Sequence, residues 1–365
     1  MKILIINTVV FKLNGITSVI MNYFRKMDKK DIDIHFMTIN EITDEYKNEI
    51  ESFGSKVYYI ERKKNPIKYI FDLKKLLKEN CYDIVHIHGN SATMALETMA
   101  AYLARVPVRI IHSHNTTCKY RVIHNILYPM LRKTYTHGFA CGNEAGKWLF
   151  KKNKYEIIKN GIDLEEFKYN EKERKKYREK INAGNKTILG HIGNFVYQKN
   201  HDFLIDLFNE LLKSDKDYLL LLIGEGELEE VIKEKVKRLG IEDNVIFIGK
   251  SMEVKGYLQA IDLFLLPSHF EGLPVVLIEA QAMGIPCLVS DKVSNEASIT
   301  SLVKFISIDD VELWKRNIKK QNNKTRELNS NLAHKNINNA GYNISKNAEK
   351  MRLLYESYVN EKNNK

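Results

Sequence analysis

Two glutamates, Glu271 and Glu279, stand eight positions apart in the stretch HFEGLPVVLIEAQAMG. The first lies in a Gly/Pro-rich loop and the second in what reads as an apolar helix. Carboxylates in such places can accept hydrogen bonds from the hydroxyls of a sugar or a ribose. Pro274 fits the first turn of the helix, which leaves the amides of Leu273, Val275 and Val276 free. A helix start of this kind carries partial positive charge and favours an anion. Gly272 lets a ligand approach the backbone closely. Glu279 sits among Val, Leu, Ile and Ala, where a carboxylate needs a partner. Ribose hydroxyls would serve, as would a nearby lysine, or the side chain faces solvent.

The other residues that carry chemistry are less telling. His86 and His88, in HIHG, lie two apart on an expected strand and so point the same way, but no third ligand is evident and no metal site is expected. His35 and His137 read as structural. Asp31 and Asp33 form a D-x-D ahead of an early strand and read as a turn. The segment IGEGELEE, residues 223–230, is neither a Walker loop nor a complete G-x-G-x-x-G. Cys81, Cys118, Cys141 and Cys287 make no C-x-x-C pair, which points to a reducing, cytoplasmic compartment.

These groups are positioned by a regular alternation of elements. The 365 residues suit two domains. KILIINTVV is a continuous apolar run, as in a strand covered on both faces. Ile16, Val19, Ile20, Tyr23, Phe24 and Met27 then follow helical spacing. DIHFMTI, SKVYYI, YDIVHIH and PVRIIHSH read as strands, PIKYIFDLKKLLKEN and SATMALETMAAYLARV as helices, and HGFACG and YEIIKNGI as short apolar segments. KYNEKERKKYREK reads as a solvated helix at a domain boundary. The pattern then restarts, with TILGHIG, YLLLLIG, NVIFIG, IDLFLLP and IPCLVS as strands and a helix after each of the first four. Two successive series predict an α/β protein of two doubly wound, mainly parallel Rossmann-like domains with a cleft between them. The expected boundaries are 1–166, a linker at 167–186, 187–325, and a helical tail at 326–365 packing back on the first domain. IDLFLLP ends at Pro267, so the first glutamate occupies the carboxyl end of a strand, where such sheets bind ligands.

The stretch FEGLPVVLIEAQAMGIPCLVS resembles the E-x7-E signature of glycosyltransferase family 4, whose members are retaining enzymes of the two-domain GT-B fold. YDIVHIHG, PVRIIHSHN, IKNGID and GHIGNFVYQKN resemble further segments of that family, in order, and the likeness spans most of residues 1–320. It is strongest to members that build bacterial capsules and exopolysaccharides. The resemblance implies a nucleotide-diphosphate sugar donor, a UDP-sugar by preference, held mainly by the second domain. It places Glu279 at the ribose, Glu271 and the amides after Gly272 at the donor sugar, and Lys199 at the diphosphate, a role suited to a flexible ammonium. It places the Gly15 amide at the phosphate and His114 near the reacting sugar, ahead of His112. Gly224 and Glu225 would line the nucleotide side near the base. Asn194 stands where the family often has Arg. Asn14-Gly15 stands where it often has Gly-Gly, and Asn tolerates the left-handed backbone such a turn would use.

The resemblance implies transfer of a sugar to an acceptor hydroxyl on a glycan or lipid-linked glycan, with neither metal nor cofactor. A nucleotide-sugar 2-epimerase of the same fold is the alternative, and the glutamate stretch argues against it. The net charge of +11 and pI near 9.1 raise nucleic-acid binding as a remote alternative, which no recognition motif supports. No apolar stretch approaches ~18 residues, so membrane contact would be peripheral, at the inner face. Basic clusters at Arg62–Lys68, Lys119 and Arg121, and Arg132 and Lys133, with Tyr69, Phe71, Tyr120 and Tyr128 nearby, suit such a surface.

Overall fold

The computed structural model describes residues 1–12, 14–62, 65–118, 120–320 and 325–363. Lys63, Lys64 and Lys119 of the expected basic clusters lie outside the described residues. The chain divides into two units, Met1–Gly161 with Ile344–Lys365, and Ile162–Asn343.

In the first unit the strands are β1 (Lys2–Asn7), β2 (Asp33–Thr38), β3 (Val57–Tyr59), β4 (Ile84–Gly89), β5 (Val108–Ser113), β6 (His137–Ala140) and β7 (Glu156–Ile157). They form one parallel sheet in the order β3-β2-β1-β4-β5-β6-β7. The helices α1 (Gly15–Lys26), α2 (Asp44–Ser52), α3 (Pro66–Asn80), α4 (Ala95–Leu103), α5 (Arg121–Thr134) and α6 (Asn143–Phe150) connect them. The strand order reverses between β1 and β4. β1 and β4 are buried because helices cover both faces of the sheet; β1 is apolar apart from its ends, and β4 buries His86 and His88 among its apolar residues. The apolar pattern gave no reading of α2, α5 or α6. In α5 the cause is visible: Val122, Ile123 and Ile126 are exposed, Pro129 lies inside the helix, and the buried positions include His124 and Thr134. The inward face, His124, Leu127, Tyr128, Leu131 and Thr134, mixes polar and apolar residues while other apolar residues point outward, which blurs the pattern.

The second unit begins with α7 (Glu171–Lys180) and contains β8 (Thr187–Ile192), α8 (His201–Leu212), β9 (Tyr218–Ile223), α9 (Glu229–Leu239), β10 (Val245–Gly249), α10 (Val254–Ala260), β11 (Leu263–Leu266), α11 (Val275–Ala282), β12 (Cys287–Ser290), β13 (Val303–Ile306), α12 (Val311–Lys319) and α13 (Arg326–Asn339). Its parallel sheet runs β10-β9-β8-β11-β12-β13, with the reversal between β8 and β11. The last helix, α14 (Ile344–Asn363), returns to the first unit and buries Met351, Tyr355 and Tyr358 there.

Two segments differ from their expected roles. The charged helix α7 is fastened to the second unit: Arg174 and Arg178 pair with the buried Asp262 at 2.5 and 3.0 Å, and Tyr177 is buried. Its basic residues thus include two that serve the interior, which composition alone does not reveal. The expected tail is divided, since α13 packs on α11 and only α14 joins the first unit. Arg326 anchors α13. Its guanidinium donates to the carbonyls of Leu258, Gln259, Ile261 and Met283 at 2.7 to 3.1 Å. Burial, then the nearby Arg174, push its pKa down to about 9. Arg326→Leu strands those carbonyls, and we expect a loss of about 3–5 kcal/mol in the stability of the second unit, measured by urea unfolding.

Candidate active site

In the second unit, the loops leaving β8 and β11 are neighbours at the point where the strand order reverses. Open α/β sheets bind ligands at that crevice. The first loop carries Asn194 and Lys199, and the second carries Glu271. The fold therefore brings together residues far apart in sequence. Lys199 Nζ lies 2.5 Å from Glu271 Oε1, and both side chains are largely buried. Ser268 Oγ donates to the same oxygen at 3.1 Å, and Gln198 Nε2 donates to Oε2 at 3.0 Å. Lys199, expected to face a diphosphate, thus lies against the carboxylate expected to face the sugar.

Helix α11 starts one residue later than expected, with Pro274 at the N-cap in extended conformation. The amides of Leu273, Val275 and Val276 meet no acceptor among the described residues. A side-chain carbon at Gly272 would meet nothing within 4 Å, so packing within the protein does not require glycine there. Val275, Val276 and Glu279 share the partly open face of the helix, while Leu277, Ile278, Ala280, Gln281 and Ala282 face inward. Gln281 sets this rotation. Its amide donates to Leu277 O and Ala297 O, and its oxygen accepts from Ile299 N, Thr300 N and Thr300 Oγ1.

Glu279 takes neither of the bland readings: among the described residues its carboxylate has no lysine partner, and it is only partly exposed. Desolvation pushes its pKa from 4.5 up to about 7. Because the folded-state pKa is raised, the associated stability is full below the unfolded value and is lost as pH rises through about 7. Glu279→Gln should therefore raise Tm at pH 8 and leave it nearly unchanged at pH 4. Equal Tm values at pH 8 would contradict the burial of the charge.

Gly224 has a structural role that the sequence did not show. Its φ is +151°, and a side-chain carbon there would lie 2.1 Å from the Gly193 carbonyl. It lets the loop after β9 press on the loop that leads to Lys199. Gly224→Ala must displace one of these loops, and we expect soluble protein with lowered Tm, read by differential scanning fluorimetry. Asn194 and Glu225 are exposed on the same two loops. His191 and His201, missed as site-region residues, are buried beneath them, with His201 stacked on Phe195 at 4.0 Å. Desolvation holds the pKa of His191 well below the usual value and that of His201 down to about 4.

In the first unit, Gly15 opens α1. Asn14 does not use a left-handed conformation: its φ is −157°, and its side chain accepts from Thr17 N as the helix N-cap. His114 follows the end of β5. Its Nε2 lies 2.9 Å from His88 Nδ1, and its ring stacks on His112 at 4.2 Å. Burial pushes its pKa down to about 3. The expectation that His86 and His88 lack a third partner is corrected. The parallel register sets His88 beside His112, and ring nitrogens of His86, His88 and His112 lie within 4.8 Å of one another. His86 Nδ1 is already bonded to Tyr355 Oη at 2.6 Å and His88 Nδ1 to His114. The four rings form a stacked, hydrogen-bonded array, in which His86 Nε2 and both ring nitrogens of His112 meet no partner among the described residues. Asp31 lies in a turn with φ +62°, His35 bonds Tyr82, and His137 stacks on Tyr358.

Two doubly wound units, one with a cation, two carboxylates and free helix amides at its switch point, define a class that handles anionic, hydroxyl-rich ligands. Family models described as Glycosyltransferase Family 4 and as Glycosyl transferases group 1 match residues 13–166 and 173–340. The glycosyltransferase-named protein EpsF of Bacillus subtilis (strain 168) is 33% identical over 322 residues, covering 83% of each chain. An Escherichia coli enzyme, UDP-Gal:alpha-D-GlcNAc-diphosphoundecaprenol alpha-1,3-galactosyltransferase, is 27% identical and covers 95% of each chain. The Anabaena HepE structure in complex with UDP-glucose superposes with a TM-score of 0.79 at 16% identity, covering 98% of this chain and all (100%) of that one. The chain belongs to glycosyltransferase family 4. It is an enzyme of the GT-B fold that transfers a sugar from a nucleotide-sugar, and the epimerase alternative is not favoured.

Proposed function

We propose that the protein moves a sugar from a UDP-sugar, with retained anomeric configuration and without a metal ion, to a hydroxyl of a lipid-linked glycan in surface polysaccharide synthesis. The observation that carries this reading is the grouping of Lys199, Glu271, the free amides of α11 and the unpartnered Glu279 at one switch point. Lys199 and the amides of Leu273 and Val275 stabilise the leaving diphosphate, which is electrostatic catalysis. Glu271 accepts hydrogen bonds from donor-sugar hydroxyls and Glu279 from the ribose. Gly224 and Glu225 border the base, and Asn194 adds a polar contact without charge. Within the first unit, the Gly15 amide opens α1 and His114 follows the end of β5. With its pKa near 3, His114 acts as a neutral hydrogen-bonding group rather than as an acid at neutral pH. A leaving-phosphate oxygen takes the acceptor proton on the face from which the diphosphate departs.

A cavity of about 460 Å³ in the first unit suits the acceptor, with Arg62, Asn90, Ser91, Asn115 and Tyr120 in its lining. Amides, hydroxyls and one aromatic ring match a sugar's alternating polar and apolar faces. The lipid-linked acceptor is suggested by the name of the E. coli relative. Among the described residues no helix is long and apolar enough to cross a membrane. On α5, Val122 and Ile126 are 72% and 70% exposed, next to Arg121, with Arg132 and Lys133 in the last turn. That surface suits peripheral contact with an anionic leaflet, and the reading places the enzyme in the cytoplasm at the inner membrane face.

The test is turnover of a panel of UDP-sugars with membrane-extracted lipid acceptors, before and after EDTA, with product configuration read by NMR. Retained configuration and EDTA-resistant activity are expected. Inverted product or full loss with EDTA would refute the proposal. In liposome flotation, Val122→Asp with Ile126→Asp should abolish binding to anionic vesicles.

A further inference from the structure

We propose that Gln198 is a positioning residue that holds the Glu271 carboxylate in place while Lys199 moves from it to the donor diphosphate. The inference rests on the proposed donor roles of Glu271 and Lys199.

The two switch-point loops are tied together around Gln198. Its carbonyl accepts from His269 N at 2.8 Å, and its side-chain amide donates to Phe270 O and to Glu271 Oε2, both at 3.0 Å. Asn200, in left-handed conformation, donates to Pro267 O at 3.1 Å, and Tyr197 stacks on His269 at 4.4 Å. Both partners of the Gln198 amide nitrogen are acceptors, so the orientation of the amide is determined and both its N–H groups are used.

The two oxygens of Glu271 therefore have unlike partners. Oε1 is held by the ammonium of Lys199 and by Ser268, whereas Oε2 is held by the Gln198 amide. An ammonium on a four-carbon stem can turn to a nearby phosphate. When it does, Oε1 keeps Ser268 and gains free lone pairs for sugar hydroxyls. The terminal torsion of a glutamate is broad and roughly two-fold, so a carboxylate without Gln198 would rotate or follow the lysine. Gln198 is neutral. It fixes the carboxylate without placing a second cation beside Glu271 that would compete with the phosphate or weaken the sugar contact.

The experiment compares Gln198→Met, which keeps length and loses the amide, with Glu271→Gln and the double variant, in the full chain. kcat and KM are measured with whichever UDP-sugar turns over, and Kd for free UDP by calorimetry. Gln198→Met should lower kcat by about 10-fold to 100-fold through loss of orientation, with Kd for UDP changed by less than about 2-fold. The double variant should be no slower than Glu271→Gln alone, because the two residues act through one group. A fall in UDP affinity matching the fall in kcat would assign Gln198 to the nucleotide or to loop folding and overturn the proposal. So would additive losses in the double variant. Wild-type turnover by Glu271→Gln would instead remove the donor-sugar assignment itself, whereas a slow Glu271→Gln beside a wild-type Gln198→Met would overturn the role of Gln198 alone.

Discussion

Lys199→Ala should lower kcat by about 10²–10³-fold, the range for removing one preorganised charge stabiliser from a reacting site. Tm should change little, because the lost partner in the free protein is one hydrogen-bonded ion pair whose carboxylate keeps two further donors. Glu271 would still hold Ser268 and Gln198. The substitution therefore separates catalysis from folding. The diphosphate needs positive charge as its bond to the sugar breaks, and the exposed Asn194 of the same loop supplies none. The free amides of α11 remain, so residual activity above background is expected. Steady-state kinetics with a UDP-sugar, together with a thermal melt, checks both halves. A variant with wild-type kcat would place the diphosphate elsewhere.

Acid should unfold this protein earlier than its basic composition suggests. His86, His88 and His112 are held well below the usual imidazole pKa, chiefly by desolvation, with their neighbouring rings adding to the effect, and His114 is pushed down to about 3. In the unfolded chain all four take protons near pH 6.5, while in the folded first unit they do not. Stability is thus fully present above the unfolded pKa and falls as pH drops toward the folded values. Each such group contributes a slope of up to about 1.4 kcal/mol per pH unit, so four give roughly 5 kcal/mol per unit below about pH 6. Against a typical domain stability of about 5–15 kcal/mol, the first unit should unfold between roughly pH 5 and 4. Urea unfolding followed by circular dichroism from pH 8 to 4 measures the slope. His112→Leu removes one titrating group whose ring nitrogens meet no partner among the described residues, and the slope should fall by about a quarter. A midpoint unchanged between pH 7 and 5 would contradict the neutral array.

The architecture was legible in the sequence where apolar runs and helical spacing repeat. β1, β9 and β11 are buried strands made mostly of continuous apolar residues, and such runs predict two wound sheets. α5 and α7 were not legible in the same way. One exposes Val122, Ile123 and Ile126 while burying His124 and Thr134, and the other sends arginines inward to Asp262. The division of the tail at Asn343 and Ile344 was hidden too, since α13 and α14 differ in destination rather than in local pattern.

At the site, the sequence by itself determined the loop–helix start, the two glutamates and the anion-favouring amides, because these are local consequences of residue type and spacing. Only the tertiary structure decided that Lys199 and Glu271 are bonded, that Gln198 grips the second carboxylate oxygen, and that the three histidines of β4 and β5 stack with His114 into one array. The first two depend on β8 and β11 lying side by side although about 70 residues separate their loops, and the third on the register of two parallel strands. Periodicity along the chain records which face a residue takes. It carries no record of which distant strand lies beside it, and that neighbour sets the charge, burial and hydrogen bonding from which the chemistry follows.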